Sequence, residues 1–503
     1  MPAYAVEAAR AAFDASRQQF DKVVSWLEGA ESARLTHAEL EAQLQSEGRE
    51  LLRRLLQDHL DLRAEREERL DEVIDADGVA RRSVEPDHTR PLRAVFGEVV
   101  VRRMAYRKRD HENLYPADAA LNLPHEKHSH GLRRLASIES ARGSFEAAVA
   151  AIERSTGREL GKRQVELLAQ RAAEDFERFY EQRPRYLSTP SDILVLSCDG
   201  KGIVMRHDAL RDATRRAAAQ SQTKLQTRLS KGEKRNRKRM AEVGAVYDCR
   251  PVVRTAVDIL PHTDEERQQA KAGPKARSKW LIASVVEDAR EVVAKVFDEA
   301  QRRDPLHRRQ WLVLVDGLNH QIDCIRREAK ERGVEVVILV DFIHVLEYLW
   351  KAAWCFFEEA DPAAERWVQD HAFTILQGRS SDVAGAIRRK ATCLALGPAE
   401  RKNADECADY LIRKRPYLDY ATALERGWPI ATGVIEGACR HLIKDRMDLT
   451  GARWGLEGAE AVLKLRALLS NGDFDAYWDF HLAQEARRVH ASRYANAVPP
   501  EVS

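Results

Sequence analysis

The sequence predicts an α/β core interrupted by a helical insertion, behind a mostly helical N-terminal region that contains a β-hairpin. Three observations carry this. Short β-rich runs follow Pro190, with helical stretches between the later ones. Helical periodicity spans Glu31 to Leu70 and returns from Phe342 to about Arg426. A run rich in valine and aromatics, residues 92–110, bends at a Phe-Gly pair.

In the first region, leucines at 35, 40, 44, 51, 52, 55, 56 and 60 recur at three-to-four-residue spacing between charges, the period of an amphipathic helix. Its apolar stripe packs either on its own domain or along a dimer seam. The stretch LRAVFGEVVVRRMAYRKRD reads as a hairpin with basic flanks. SFEAAVAAIERSTG and RELGKRQVELLAQRAAEDFERFY then give two helices around a Ser-Thr-Gly break, the outline of a helix-turn-helix, with Lys162 and Arg163 opening the second helix as candidate DNA contacts.

After Pro190, SDILVLSCDG, AEVGAVYD, VVRTAVDIL, QWLVLVDG and VEVVILVD read as five strands. A meander of the first three, followed by helical crossovers to the runs at 311 and 336, allows a mixed sheet ordered 3-2-1-4-5. The tail from Gly433 to Ser470 reads as two further helices. The expected boundaries are 1–82 for the helical N-terminal region and 83–187 for the hairpin and helix-turn-helix. The core follows at 188–345, the helical insertion at 346–430, the closing helices at 431–475 and a tail at 476–503.

Composition limits the function classes. Across 503 residues, 82 Lys plus Arg against 80 Asp plus Glu leave a net charge of +2, so the chain is neither a polycation nor disordered by composition. No apolar run approaches the roughly 18 to 20 residues of a membrane span, and the N-terminus lacks the apolar centre of a secretory signal, so a cytoplasmic protein without membrane partners is expected. The seven cysteines are scattered singly, which fits buried thiols better than zinc or a disulfide framework.

Two apolar runs end in Asp-Gly: ILVLSC meets Asp199-Gly200 and WLVLV meets Asp316-Gly317. Buried strands of open α/β sheets place ligands at their carboxyl ends. In the order 3-2-1-4-5 the first and fourth strands are neighbours, so Asp199 and Asp316 would stand side by side. Two carboxylates about 4 Å apart repel by roughly 4 kcal/mol at an effective dielectric near 20. A divalent cation would relieve this, and oxygen-only ligands suit Mg²⁺, with Mn²⁺ as a substitute, better than Zn²⁺. A third acid, Glu436, lies in the first turn of a helix expected to start at Thr432-Gly433, with Arg440 and Lys444 at i+4 and i+8; the plain alternative is a surface salt bridge.

These acids, the closing stretch GVIEGACRHLIKDRMDLTGARWGLEGAEAVLKLRALLSNGDFDAYW, the VFGEVVVRRMAY hairpin and KRMAEVGAVYD together resemble an ISKra-type bacterial insertion-sequence transposase. The resemblance covers most of the chain. It implies a ribonuclease-H-like catalytic domain whose triad, carried here by Asp199, Asp316 and Glu436, is split by a helical insertion between the second Asp and the Glu. It implies Mg²⁺-dependent cleavage and strand transfer on double-stranded DNA, at transposon ends and target, by a nucleoid-associated homo-oligomer. The related Mutator-like enzymes carry Cys/Asp-x-x-His after the fifth strand, matched here by Asp341-Phe-Ile-His344. Asp341 is therefore a rival to Asp316 as second ligand, and His344 a supporting residue.

Other contacts are read from the residues. KLQTRLSKGEKRNRKR, residues 224–239, holds eight Lys or Arg and one Glu, including Lys231, Lys234, Arg235, Arg237, Lys238 and Arg239. That density is a phosphate-binding footprint or a solvated insert. Trp454 is either a base-stacking residue or a core anchor. His125, His128 and His130 lack a fourth ligand nearby in sequence. Two rival functions remain: a captured, catalytically silent DNA-binding protein, and a structure-specific nuclease.

Overall fold

In the computed structural model, residues 12–184, 191–220, 237–449 and 451–502 are described. The chain forms two compact units, Met1–Gln182 with Gly472–Ser503, and Arg183–Asn471. Among the described residues no helix is long and apolar enough to cross a membrane.

The first unit opens with helices Asp14–Glu28 and His37–Arg66, the second started by a reciprocal Thr36–Glu39 capping box. Short strands β1 (Val73–Ile74) and β2 (Ala80–Arg81) precede the hairpin of β3 (Ser83–Ala94) and β4 (Gly97–Arg107), which turns at Val95-Phe96. The C-terminal end of the expected leucine stripe packs within the unit, where Leu56 and Leu60 meet Leu92, Val99, Val101 and Leu123, while Leu44, Leu52 and Leu55 are exposed. Helices His130–Arg142, Phe145–Thr156 and Lys162–Ala172 then close round one core that includes Leu132, Ile152, Val165 and Leu168. The segment expected as a tail belongs to this unit. Tyr494 is buried with Val73, Tyr106 and Leu114, and Tyr477 Oη donates to the Ala172 carbonyl at 2.6 Å.

The second unit is built on five strands: β5 (Ile193–Val204), β6 (Lys238–Cys249), β7 (Ala276–Ser284), β8 (Trp311–Val315) and β9 (Val336–Val340). Their spatial order is β7-β6-β5-β8-β9, the expected 3-2-1-4-5, with β5 parallel to β8, β8 parallel to β9 and the other pairs antiparallel. All of β8 and the first six residues of β5 are buried, as expected of strands covered on both faces. Helix Ala289–Arg303 lies across β5 and β6, and Gly244 makes room for it: a Cβ there would stand 2.4 Å from Val296 Cγ2.

The third strand corrects the sequence reading. VVRTAVDIL is a loop and a short helix, Ala256–Ile259, because Asp258 caps it by accepting from the Thr255 N–H at 2.7 Å. The true third strand exposes residues 277–279 and buries only residues 280–284, so it shows neither alternation nor a full apolar run. Its free edge is covered where Asn471 exchanges two hydrogen bonds with the Leu281 backbone, at 2.8 and 2.9 Å.

Between β9 and Gly433 the chain is helical, through Phe342–Ala353, Pro362–Leu376, Ser380–Cys393, Lys402–Lys414 and Tyr420–Glu425. Two tyrosines tie this insertion to the carboxyl edge of the sheet. Tyr420 Oη donates to the Val340 carbonyl at 2.9 Å, and Tyr410 Oη to the Asp316 carbonyl at 3.3 Å.

Candidate catalytic cleft

The parallel register sets three aspartates in one row. Ser197 pairs with Leu314 and Val315 with Val340, so continuing each strand brings Asp199, Asp316 and Asp341 level on neighbouring strands. Because side chains at one register level share a face, three acids emerge together at the edge of the parallel ladder. One expectation fails here. Strand β5 does not end at Asp199 but runs on to Val204, paired with β6 alone, so the crevice opens where β8 stops rather than where β5 stops.

Glu436 comes from the far side of the insertion. Helix Gly433–Ala438 carries it, and a π-helical turn, Cys439–Lys444, follows. An α-helix drifts about 40° for every four residues. The wider i to i+5 turn works against that drift, which keeps Glu436, Arg440 and Lys444 on one exposed face. A cavity of about 130 Å³, ample for several waters, is lined by Asp199, Asp316 and Glu436 together with Asp341, His344 and Glu347.

The hydrogen bonds sort these acids. Asp341 is 3% exposed and both its oxygens are engaged: Oδ1 accepts from the Ile343 N–H at 2.7 Å, and Oδ2 from the Thr432 N–H at 2.9 Å and from the Thr432 hydroxyl. It caps helix Phe342–Ala353 and ties that helix to the start of the Glu436 helix. Asp316 spends Oδ1 on the Leu318 N–H at 3.1 Å, and its Oδ2 accepts no hydrogen bond among the described residues. Asp199 accepts from the Gly200 N–H at 2.6 Å and from the Cys439 thiol at 3.1 Å.

Charge and burial act in one direction. Burial raises the Asp316 acid above the usual carboxylate range, and the Asp199 charge adds to this against the Leu318 N–H and His344. Partial desolvation, then the charges of Asp341, Glu347 and Asp199, raise the Glu436 acid. Oxygen donors with open lone pairs and mutual repulsion fit a hard divalent cation by donor type and by charge. Their placement is less complete: among the described residues no group of three or more His, Cys, Asp or Glu side chains is arranged to hold a metal ion.

His344 sits in the cleft wall, its Nδ1 3.5 Å from Glu347 and its ring edge-on to Tyr348, which stacks on Tyr410 at 4.0 Å. Sequence reasoning missed Glu347, Cys439 and Tyr410 and read Thr432 only as a helix start. Of these three, only Glu347 left a signal, as the residue one turn after His344.

The candidate DNA contacts divide. Lys162 and Arg163 are exposed at the head of their helix, with Lys162 paired to Glu146. Lys231, Lys234 and Arg235 lie outside the described residues. Lys238 is exposed and Arg237 half-buried. Arg239 is corrected: its guanidinium donates to the carbonyls of Val285 at 2.6 Å, Val286 at 3.3 Å and Ala209 at 3.4 Å, so it holds the protein together. Trp454 is corrected as well. It is 5% exposed beneath the Arg446 guanidinium, its indole donates to the Met447 carbonyl at 3.0 Å, and its backbone pairs with Val204 and Arg206. No ring face is left for a base. Of the three histidines, His130 bonds the Asn122 carbonyl at 2.6 Å, and His128 is buried with neither ring nitrogen partnered among the described residues.

No protein-family model matches this chain, and no curated protein matches it.

Proposed function

We propose that this chain is the DNA transposase of a bacterial insertion sequence, with a ribonuclease-H-like core that binds the element's ends and cuts and joins DNA with an Asp-Asp-Glu triad. The observation that carries the reading is the shared cleft. Asp199, Asp316 and Glu436 come from β5, from the end of β8 and from a helix beyond an insertion, and all three line one cavity.

Asp199, Asp316 and Glu436 would hold divalent cations, Mg²⁺ or Mn²⁺, in the cleft. Such ions, when bound, activate the attacking oxygen and stabilise the leaving one. The chain's own residues supply placement. Asp341 and Thr432 hold the Glu436 helix against the sheet, and Tyr410 and Tyr348 brace the turn that carries Asp316. A water, and later the freed 3′-hydroxyl, displaces the 3′-oxygen at the scissile phosphate in line, so no covalent protein–DNA intermediate forms. Bringing two ends together requires a homo-oligomer on double-stranded DNA.

One observation favours the second reading, a captured transposase that binds DNA without cutting it: the three acids share a cavity without standing as a ready ion site. Both readings are tested by incubating the full chain with the element's terminal DNA and Mg²⁺ and scoring nicks and joined products. Wild type should cut and join, and Asp199→Asn should bind DNA but do neither. Equal nicking by the variant removes the enzymatic reading. Cleavage of branched or hybrid substrates without joining assigns a structure-specific nuclease instead.

A further inference from the structure

We infer that Lys201 is a phosphate-binding residue of the cleft, holding a backbone phosphate of the DNA strand beside the scissile one. The inference rests on the proposed reading of the cleft and deepens it.

Lys201 stands two residues beyond Asp199 on β5, so it shares that residue's face of the sheet, about 7 Å further along. It is exposed, and its side chain makes no ion pair or hydrogen bond among the described residues. A lone ammonium beside acids normally pairs with one of them. Here Asp199 is turned to the Cys439 thiol instead. The turn Cys439–Lys444 packs on β5, and exposed Arg440 and Lys444 lie on it.

A phosphodiester entering a cavity lined by five carboxylates meets like charge. A cation at the rim, held free of those acids, offsets this and fixes the strand by a contact that carries no base information.

The test is a salt titration of binding by the full chain to a fluorescein-labelled duplex in EDTA, followed by anisotropy. Each phosphate contact contributes about 0.9 to the slope of log affinity against log salt. Lys201→Gln should lower the slope by that amount, and Lys201→Arg should keep it. Thermal melts check that both variants fold. If wild type cleaves DNA and Lys201→Gln keeps the full slope, this inference falls alone. If the slope drops but wild type never cleaves under Mg²⁺, the phosphate contact stands and the catalytic reading falls. A wild-type chain that binds no duplex overturns both.

Discussion

The thiol of Cys439 donates to Asp199 Oδ2 at 3.1 Å, joining the helix that carries Glu436 to the strand that carries the first aspartate of the row. The two residues are 240 positions apart, and their contact fixes the Asp199 carboxylate relative to Glu436, three residues before the cysteine. Cys439→Ala should remove a hydrogen bond to a charged acceptor and leave a small void, at a cost of about 1–3 kcal/mol. Cys439→Ser keeps a donor and should recover most of it. Urea unfolding followed by a probe in the second unit checks the order of the three proteins; an alanine variant as stable as wild type means that the bond holds nothing in place.

Asp341 and Thr432 form a second tie to the same helix, and its chemistry is fully satisfied. Asp341→Ala strands the buried Thr432 N–H and hydroxyl and also removes a helix cap, which together should cost about 2–4 kcal/mol. Thr432→Val loses only the hydroxyl and should cost about 1–2 kcal/mol, while Thr432→Ser should lie near wild type. Equilibrium denaturation of the three variants measures this. A Val variant as stable as wild type beside a destabilised Ser variant would assign the effect to the methyl group rather than to the hydroxyl.

How much of this was legible in the sequence depended on the distance over which each feature is written. Strands β5 and β8 are buried on both faces, so their apolar runs and closing Asp-Gly pairs stood out, and the short-connection rules then placed Asp199 beside Asp316. The Glu436 helix announced itself through Thr432-Gly433 and its four-residue charge spacing. Strand β7 stayed hidden because its exposed first half has no period. The roles of Cys439, Arg239 and Trp454 depend on partners brought together only by folding, so residue type alone left the last two open. The choice between Asp316 and Asp341 was open in sequence. Their hydrogen bonds separate them: one has an oxygen free and the other has none.

Gly317 follows Asp316 with φ of +94°, and a Cβ there would lie 2.8 Å from Tyr410 Oη. Gly317→Ala should therefore pay twice, for a left-handed backbone and for a clash, about 2–4 kcal/mol in all. Tyr410→Phe removes the clashing atom, so the double variant should be less destabilised than the two single losses summed. A double-mutant cycle on unfolding free energy reads the coupling, and strict additivity would show that the alanine is strained by its backbone alone.

The first unit should lose stability in mild acid. Burial holds the imidazoles of His128, His130 and His490 below the usual histidine range, and for His128 the guanidinium charges of Arg93, Arg133 and Arg171 act with burial while Glu126 opposes it. The native state therefore keeps these rings neutral where the unfolded chain takes up protons. Stability is intact above the unfolded value of about 6.5 and declines as pH falls from there toward the lower native values. Asp175, held down to about 2, titrates well below that window. Glu67, raised by burial, acts in the opposite sense, favouring the native state as pH falls. His128→Leu removes one of the three groups from a site where neither ring nitrogen has a partner, so its melting temperature should fall less than that of wild type between pH 7.5 and pH 5.5. Parallel pH profiles for the two proteins would mean that His128 titrates as freely in the folded chain as in the unfolded one.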